Sequence, residues 1–237
     1  MRTYALALLL LMPSLAFGQY GGDKSNTTPA AGATPTIATY CAGSHASTTP
    51  TTANCNTPSA PTIAATGDPL VLYVKADSGV TLGSPSGCAT WGAAKASDAT
   101  NNQYVWVAAA TASGSCTPTI TGTSVSGTKE IDIYMWDTQN TLTTVDGTPG
   151  LVSTAFCTTC TGANTSSSST GGLALGVVRA GAVTSFSGSW TGLTILTPNG
   201  LQMAGAYQVQ AGSGSLSLTW NSSGQSAYDL VIILKHS

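Results

Sequence analysis

The chain has 237 residues and a formal net charge of −2, with only 7% of residues charged, against roughly 25% in typical soluble domains. With seven basic side chains and no basic run, counterion release from phosphate has little to act on, which argues against nucleic acid and anionic membrane surfaces as partners. Solubility must instead come from Ser, Thr, Asn, Gln and Gly.

Read in chain order, Met1-Arg2-Thr3 is a positive start, 5–12 an unbroken apolar run, and Ala16-Phe17-Gly18 a small-residue exit. This layout predicts a secretory signal peptide over residues 1–18, with a mature start at Gln19. The apolar run is shorter than the about 20 residues of a spanning helix, so no membrane span is expected in the mature chain. Export to an oxidising compartment makes the six cysteines expected disulfide partners rather than metal ligands or reactive thiols.

Residues 19–66 are rich in Thr, Ala, Pro, Ser and Gly and poor in aliphatics, which predicts a low-complexity, poorly packed spacer. Cys41 and Cys55 interrupt it, and pairing them closes a small loop around His45.

From Gly67 onward the pattern changes. Leu70-Val71-Leu72-Tyr73-Val74 is a dense apolar run of strand length, opened by Asp68-Pro69. Further short runs follow at 80–83, 89–93 around Trp91, 104–109, 120–125 and 130–136. Others lie at 173–178, 183–190, 193–196, 201–209, 216–220 and 228–234. Gly, Ser, Asn, Asp and Pro clusters separate them, as turn residues should. In Leu216-Ser217-Leu218-Thr219-Trp220 the apolar residues share one face and the hydroxyls the other, the mark of a half-buried strand. The polar stretch 161–172 reads as a long loop. No helical stripe is sustained. The expectation is an all-β fold, an antiparallel β-sandwich of jelly-roll or Ig-like type over 67–237, preceded by signal peptide and spacer.

The simplest cysteine pairing is Cys41–Cys55, Cys88–Cys116 and Cys157–Cys160, one of fifteen possibilities. Cys157-Thr158-Thr159-Cys160 is a CxxC, but a redox pair places its low-pKa thiolate at a helix N-terminus, and no helix is expected here. Zinc would need further ligands, and the two histidines are His45 and His236. Neither a metal nor a cofactor is expected.

Lys129-Glu130-Ile131-Asp132-Ile133-Tyr134-Met135 resembles the active-site strand of laminarinase-type glycoside hydrolases, which fold as concanavalin-like β-sandwiches. The resemblance implies Glu130 as nucleophile and Asp132 as assisting carboxylate, with the acid/base position falling on Tyr134. A retaining glycosidase needs two carboxyl groups about 5 Å apart. Tyrosine, with a pKa near 10, is a poor proton donor there, and Glu130 is the chain's single glutamate. The bland alternative is an edge strand with a polar outward face. No Gly-x-Ser-x-Gly elbow accompanies His45 or His236, and no phosphate-cradling loop occurs. No catalytic residue is assigned.

Trp91, Trp106, Trp136, Trp190 and Trp220 fall on expected strands, with Tyr73, Tyr104, Tyr134, Tyr207 and Tyr228. Buried aromatics are the usual filling of such a core; exposed ones would suit stacking on sugar rings. Tyr134 and Trp136, on one strand face, are the binding candidates. Met135 takes the other face.

As a whole, the body resembles a widespread group of bacterial extracellular β-sandwich domains that accompany fibronectin type III or Ig-like modules. The matching stretches are 67–74, the Trp91 strand, 103–110, 131–136, 173–178, 206–211, 216–220 and 227–235. The resemblance implies a surface or matrix role and no catalytic residues. The resulting expectation is a secreted, non-enzymatic structural or adhesion module of the bacterial cell exterior, with extracellular glycan or self-association as its partners. The alternative is a carbohydrate-binding sandwich, then a degenerate or active glycan hydrolase. The expected location is secreted, at the cell surface or in the periplasm.

Overall fold

A computed structural model describes residues 32–48, 52–124 and 127–237. The expected signal peptide, 1–18, and the start of the spacer lie outside the described residues. Ten strands occupy the first part: β1 Thr36–Ser47, β2 Thr52–Asn54, β3 Thr62–Ile63, β4 Pro69–Ala76 and β5 Val80–Leu82, then β6 Ala96–Asp98, β7 Gln103–Ala109, β8 Gly114–Ser115, β9 Thr119–Ser124 and β10 Lys129–Gln139. Seven follow: β11 Thr141–Val145, β12 Gly150–Ser167, β13 Leu173–Ala180, β14 Val183–Phe186, β15 Thr191–Gly192, β16 Gln202–Val209 and β17 Gly214–His236. A single 3-10 turn at Pro198–Gly200 is the helical structure among the described residues, so no helix there is long and apolar enough to cross a membrane. The fold is all-β and antiparallel, as the sequence predicts.

The central sheet runs β1-β10-β4-β7-β6. Strand β4 is buried along all eight residues because both of its faces are covered. Leu70, Leu72 and Val74 enter one core with Ile131, Ile133 and Met135, and short strands and loops cover it with Ala53, Cys55, Ile63 and Ile120. Val71, Tyr73, Tyr134 and Trp136 point the other way, into a second core against Leu175, Val177, Leu230 and Ile232 of the facing sheet. Fully burying one such aliphatic side chain contributes about 1.5–3 kcal/mol, so the two cores make the central sheet the middle layer of the molecule. Gly205 permits the close approach of the sheets. A Cβ there would lie 2.2 Å from the Tyr134 hydroxyl.

The facing sheet runs β11-β17-β13-β16-β15, with β12 and β14 also paired to β17. The 23-residue β17 pairs through Ala227–Leu234 with β13 and through Trp220–Ser222 with β14. Strand β12 follows it from Gly214 to Val231. The first half of β17 therefore curls over the outer face of β13, and Leu218 sits where a Cβ on Gly176 would be. This enclosure makes a third core from Ala174, Val178, Ala204, Leu218, Trp220 and Val231. The curled sheet is barrel-like, and the whole is a sandwich with one rolled layer.

Four expectations need correction. The spacer ends earlier than residue 66: 36–47 form β1, paired with β10 through Ser47, and Cys41, Ala42, Ala53, Cys55 and Ile63 are buried. Its Thr, Ala and Gly side chains are weakly hydrophobic, but a strand also gains from its ladder, and small side chains let layers close. A Cβ on Gly43 would strike the Asn54 carbonyl. Strand β10 is internal, flanked by β1 and β4, and is no edge strand. The stretch read as a loop at 161–172 is β12 as far as Ser167, held by pairing with β17 rather than by apolar pattern. Strand expectations at 89–93 and 193–196 reduce to isolated bridges, Ala89 with Ala110 and Leu196 with Met203.

All three disulfides join as the simplest pairing predicts: Cys41–Cys55, Cys88–Cys116 and Cys157–Cys160.

Candidate functional site

Three largely apolar strands bring buried or part-buried charges to one place: Lys75 from β4, Glu130 and Asp132 from β10, and Arg179 from β13. Strand register brings them together. Asp132 lies opposite Lys75 on β4 and opposite Ser44 on β1; Arg179 reaches across from the facing sheet. Its Nε donates to Asp132 Oδ2 at 2.7 Å and its Nη2 to Glu130 Oε2 at 2.8 Å. Ser44 donates to the other Glu130 oxygen at 2.7 Å. Tyr228 lies beside Arg179, and the Lys75 ammonium sits 4.2 Å above the Tyr228 ring, a favourable cation–π placement. Lys75 also donates to the Ala76 carbonyl. Next in the row, Tyr73 donates to Gln103 Oε1 at 2.8 Å, and Gln103 Nε2 donates to the Val152 carbonyl of β12 at 3.0 Å.

Burial sets the electrostatics. It pushes the Asp132 carboxyl up to about 6, with the opposing Arg179 charge only partly offsetting it. It pulls Lys75 down to about 8, helped by the like charge of Arg179. The Tyr73 hydroxyl is raised well above its ordinary value by burial and by Asp229. Two groups shifted toward neutrality beside a paired Arg could signal catalysis. Here both carboxylates are clamped by one guanidinium, and Asp132 is 0% exposed. The arrangement is a polar tie between two sheets.

The sequence candidates fall on the same strand. Glu130 and Asp132 share the face that the hydrolase resemblance requires, but that face is inside the sandwich. Tyr134 and Trp136 are each 0% exposed, their rings 4.7 Å apart, and Tyr40 of β1 stacks on Tyr134 at 6.2 Å. They fill core and offer no stacking platform, which corrects their reading as binding candidates. His45 lies within β1, and the His236 ring meets the Ala33 carbonyl at 3.1 Å.

The sequence reading passed over Arg179. It is the single arginine after Arg2 and interrupts the apolar run Leu173–Ala180. A single charge near the end of each of the apolar runs of β4 and β13, Lys75 and Arg179, is the signal that could have located this cluster.

A part-exposed aromatic side chain does exist, on β7. Tyr104 and the buried Trp106 alternate along the strand on the face that the short strands cover, their rings 5.7 Å apart and within 22° of parallel. They line a groove of about 340 Å³, within the size range of small-ligand sites. Its opposite wall is β5 with the turn before it. Asn102, at φ 52°, fixes that wall: its Nδ2 donates to the carbonyls of Asp77 and Val80, each at 2.9 Å. Exposed Ser78, Thr81 and Thr100 form the rim, and no charged side chain lines the groove. Neutral lining extends to the depression across β5, between Leu82 and Thr121, and to the one beside Val152 and Asn164.

The chain matches no family model, no curated protein and no solved structure.

Proposed function

We propose that this protein is a secreted, non-enzymatic structural or adhesion module of the bacterial cell exterior. The observation that carries the reading is Arg179 holding both Glu130 and Asp132 between the sheets, which leaves this acid pair committed to structure. Three disulfides suit an oxidising compartment, and the near-absence of charge keeps surface contacts insensitive to salt. The second reading, a carbohydrate-binding sandwich, is favoured by the Tyr104/Trp106 groove in place of the buried Tyr134 and Trp136.

Cell fractionation and N-terminal sequencing test the location: export with a mature start at Gln19 is expected, and retention in the reduced cytosol would refute it. Incubation with β-glucans tests the chemistry. No reducing-sugar release is expected; release abolished by Glu130→Gln would restore the hydrolase reading.

A further inference from the structure

The groove over β7 has a composition that narrows its occupant. Its floor is the part-exposed Tyr104 ring, backed by the buried Trp106 stacked on it, and an aromatic face carries partial negative charge that attracts C–H groups turned toward it. Its rim supplies hydroxyls, each both donor and acceptor. Its walls hold no ionisable lining residue other than the Tyr104 phenol, so nothing there would pair with a carboxylate, phosphate, sulfate or ammonium.

A pyranose has the matching chemistry: one face of C–H bonds, a belt of hydroxyls, and no charge. A peptide would bring backbone N–H groups that seek an open strand edge, but this groove offers the face of β7, whose two edges pair with β4 and β6. The end strand β5 at its wall is three residues long, with the Val80 backbone already bonded to Asp77 and Asn102. A nucleotide would bring phosphate with no cation to meet it. The site is also held in shape before any ligand arrives. Asn102 ties the turn after β4 to the start of β7, and Trp106 is 6% exposed and wedged in the core. Such preorganisation reduces the ordering lost on binding.

We infer that the Tyr104/Trp106 groove is a binding site for uncharged glycans, with Tyr104 the stacking residue and Thr81 and Thr100 hydrogen-bonding residues at its rim. The inference rests on the second reading, a carbohydrate-binding sandwich, and adds the stacking residue, the rim residues and the uncharged class of glycan.

Affinity electrophoresis of the oxidised protein in gels containing neutral β-glucan, xylan or mannan tests it, with tryptophan fluorescence as a second readout. Saturable retardation by at least one neutral glycan is expected, unaffected by raising salt. Tyr104→Ala should weaken it at least tenfold and Tyr104→Phe by less than threefold. Thr100→Trp, at an exposed position on the rim, should block binding while circular dichroism remains that of the parent, which guards against misfolding of Tyr104→Ala. Absence of retardation by every neutral glycan, or binding indifferent to Tyr104→Ala and Thr100→Trp, would overturn the inference. Those results leave the non-enzymatic reading standing, whereas glycan cleavage would defeat that reading whatever the groove binds.

Discussion

The two faces of the central sheet are covered in opposite ways. On one side lie strands of two or three residues, β2, β3, β5 and β8, with the longer β9, and two disulfides spanning 14 and 28 residues of sequence. On the other lies a sheet containing strands of 18 and 23 residues, whose disulfide joins cysteines three apart. Short strands make few ladder hydrogen bonds and bury little surface, so their loops depend on covalent closure. Long strands hold each other, and their bond to the central sheet is completed by the Arg179 clamp.

The sharpest way to break this contrast is at the clamp. Arg179→Met removes the cation from Asp132 and Glu130 and leaves a buried carboxylate unpaired, with an expected loss of about 3–5 kcal/mol by urea unfolding. Replacing Asp132 and Arg179 together by apolar residues should recover much of that loss. Next comes the stapled side. Cys88→Ser with Cys116→Ser releases a long loop, and the chain-entropy relation gives about 3.6 kcal/mol for it. Hydrogen exchange should rise first in β5, β8 and β9 and leave β13 and β17 protected. Uniform exchange throughout would mean that the two covers are not independent.

Acidity separates the regions further. Burial raises Asp132, Asp137 and Asp229 from 3.8 to about 6, so the folded state holds these protons more tightly than the unfolded chain. Their stabilising contribution is complete below 3.8 and fades as pH rises through about 6. Burial also acts on Asp146, but hydrogen bonds from Ser168, Ser169 and Ser167 outweigh it and hold this carboxyl far below 3.8, so its contribution disappears in strong acid. Lys75, lowered from 10.5 to about 8, contributes stability above 10.5 that is lost as pH falls through about 8. From these groups thermal stability should therefore be greatest near pH 4 and decline as pH rises toward 6 and beyond. Even about 2 kcal/mol of linkage would put Tm about 4–8 °C higher at pH 5 than at pH 7.5. A flat or rising profile from pH 5 to 7.5 would contradict these assignments. The smallest effect is expected at Cys157 and Cys160: replacing both by Ser opens a four-residue ring inside strand β12, and the same relation gives about 2 kcal/mol.

The strands that the sequence made legible are those whose side chains alternate or run apolar: β4, β7, β10, β13, β16 and the two halves of β17. Strands β1 and β12 were illegible because Thr, Ser, Ala and Gly carry little apolar signal, and each is held by a long antiparallel partner. The candidate site was misplaced by two turns of the same logic. Tyr134 and Trp136 were correctly put on one face of one strand, but which face opens to solvent depends on what covers it. Tyr104 and Trp106 have the same alternation on β7 and lie under a shorter cover.

Composition, turn chemistry and cysteine spacing by themselves determined an all-β, antiparallel, disulfide-bonded body, because strand period and loop closure are local properties. Only the tertiary structure decided that Lys75, Asp132 and Arg179 meet, that Glu130 is clamped, and that Tyr104 of β7 is left part-exposed beside a groove. Those outcomes depend on register and on the curl of β17 over β13, which pair residues far apart in the chain and leave no trace in local pattern.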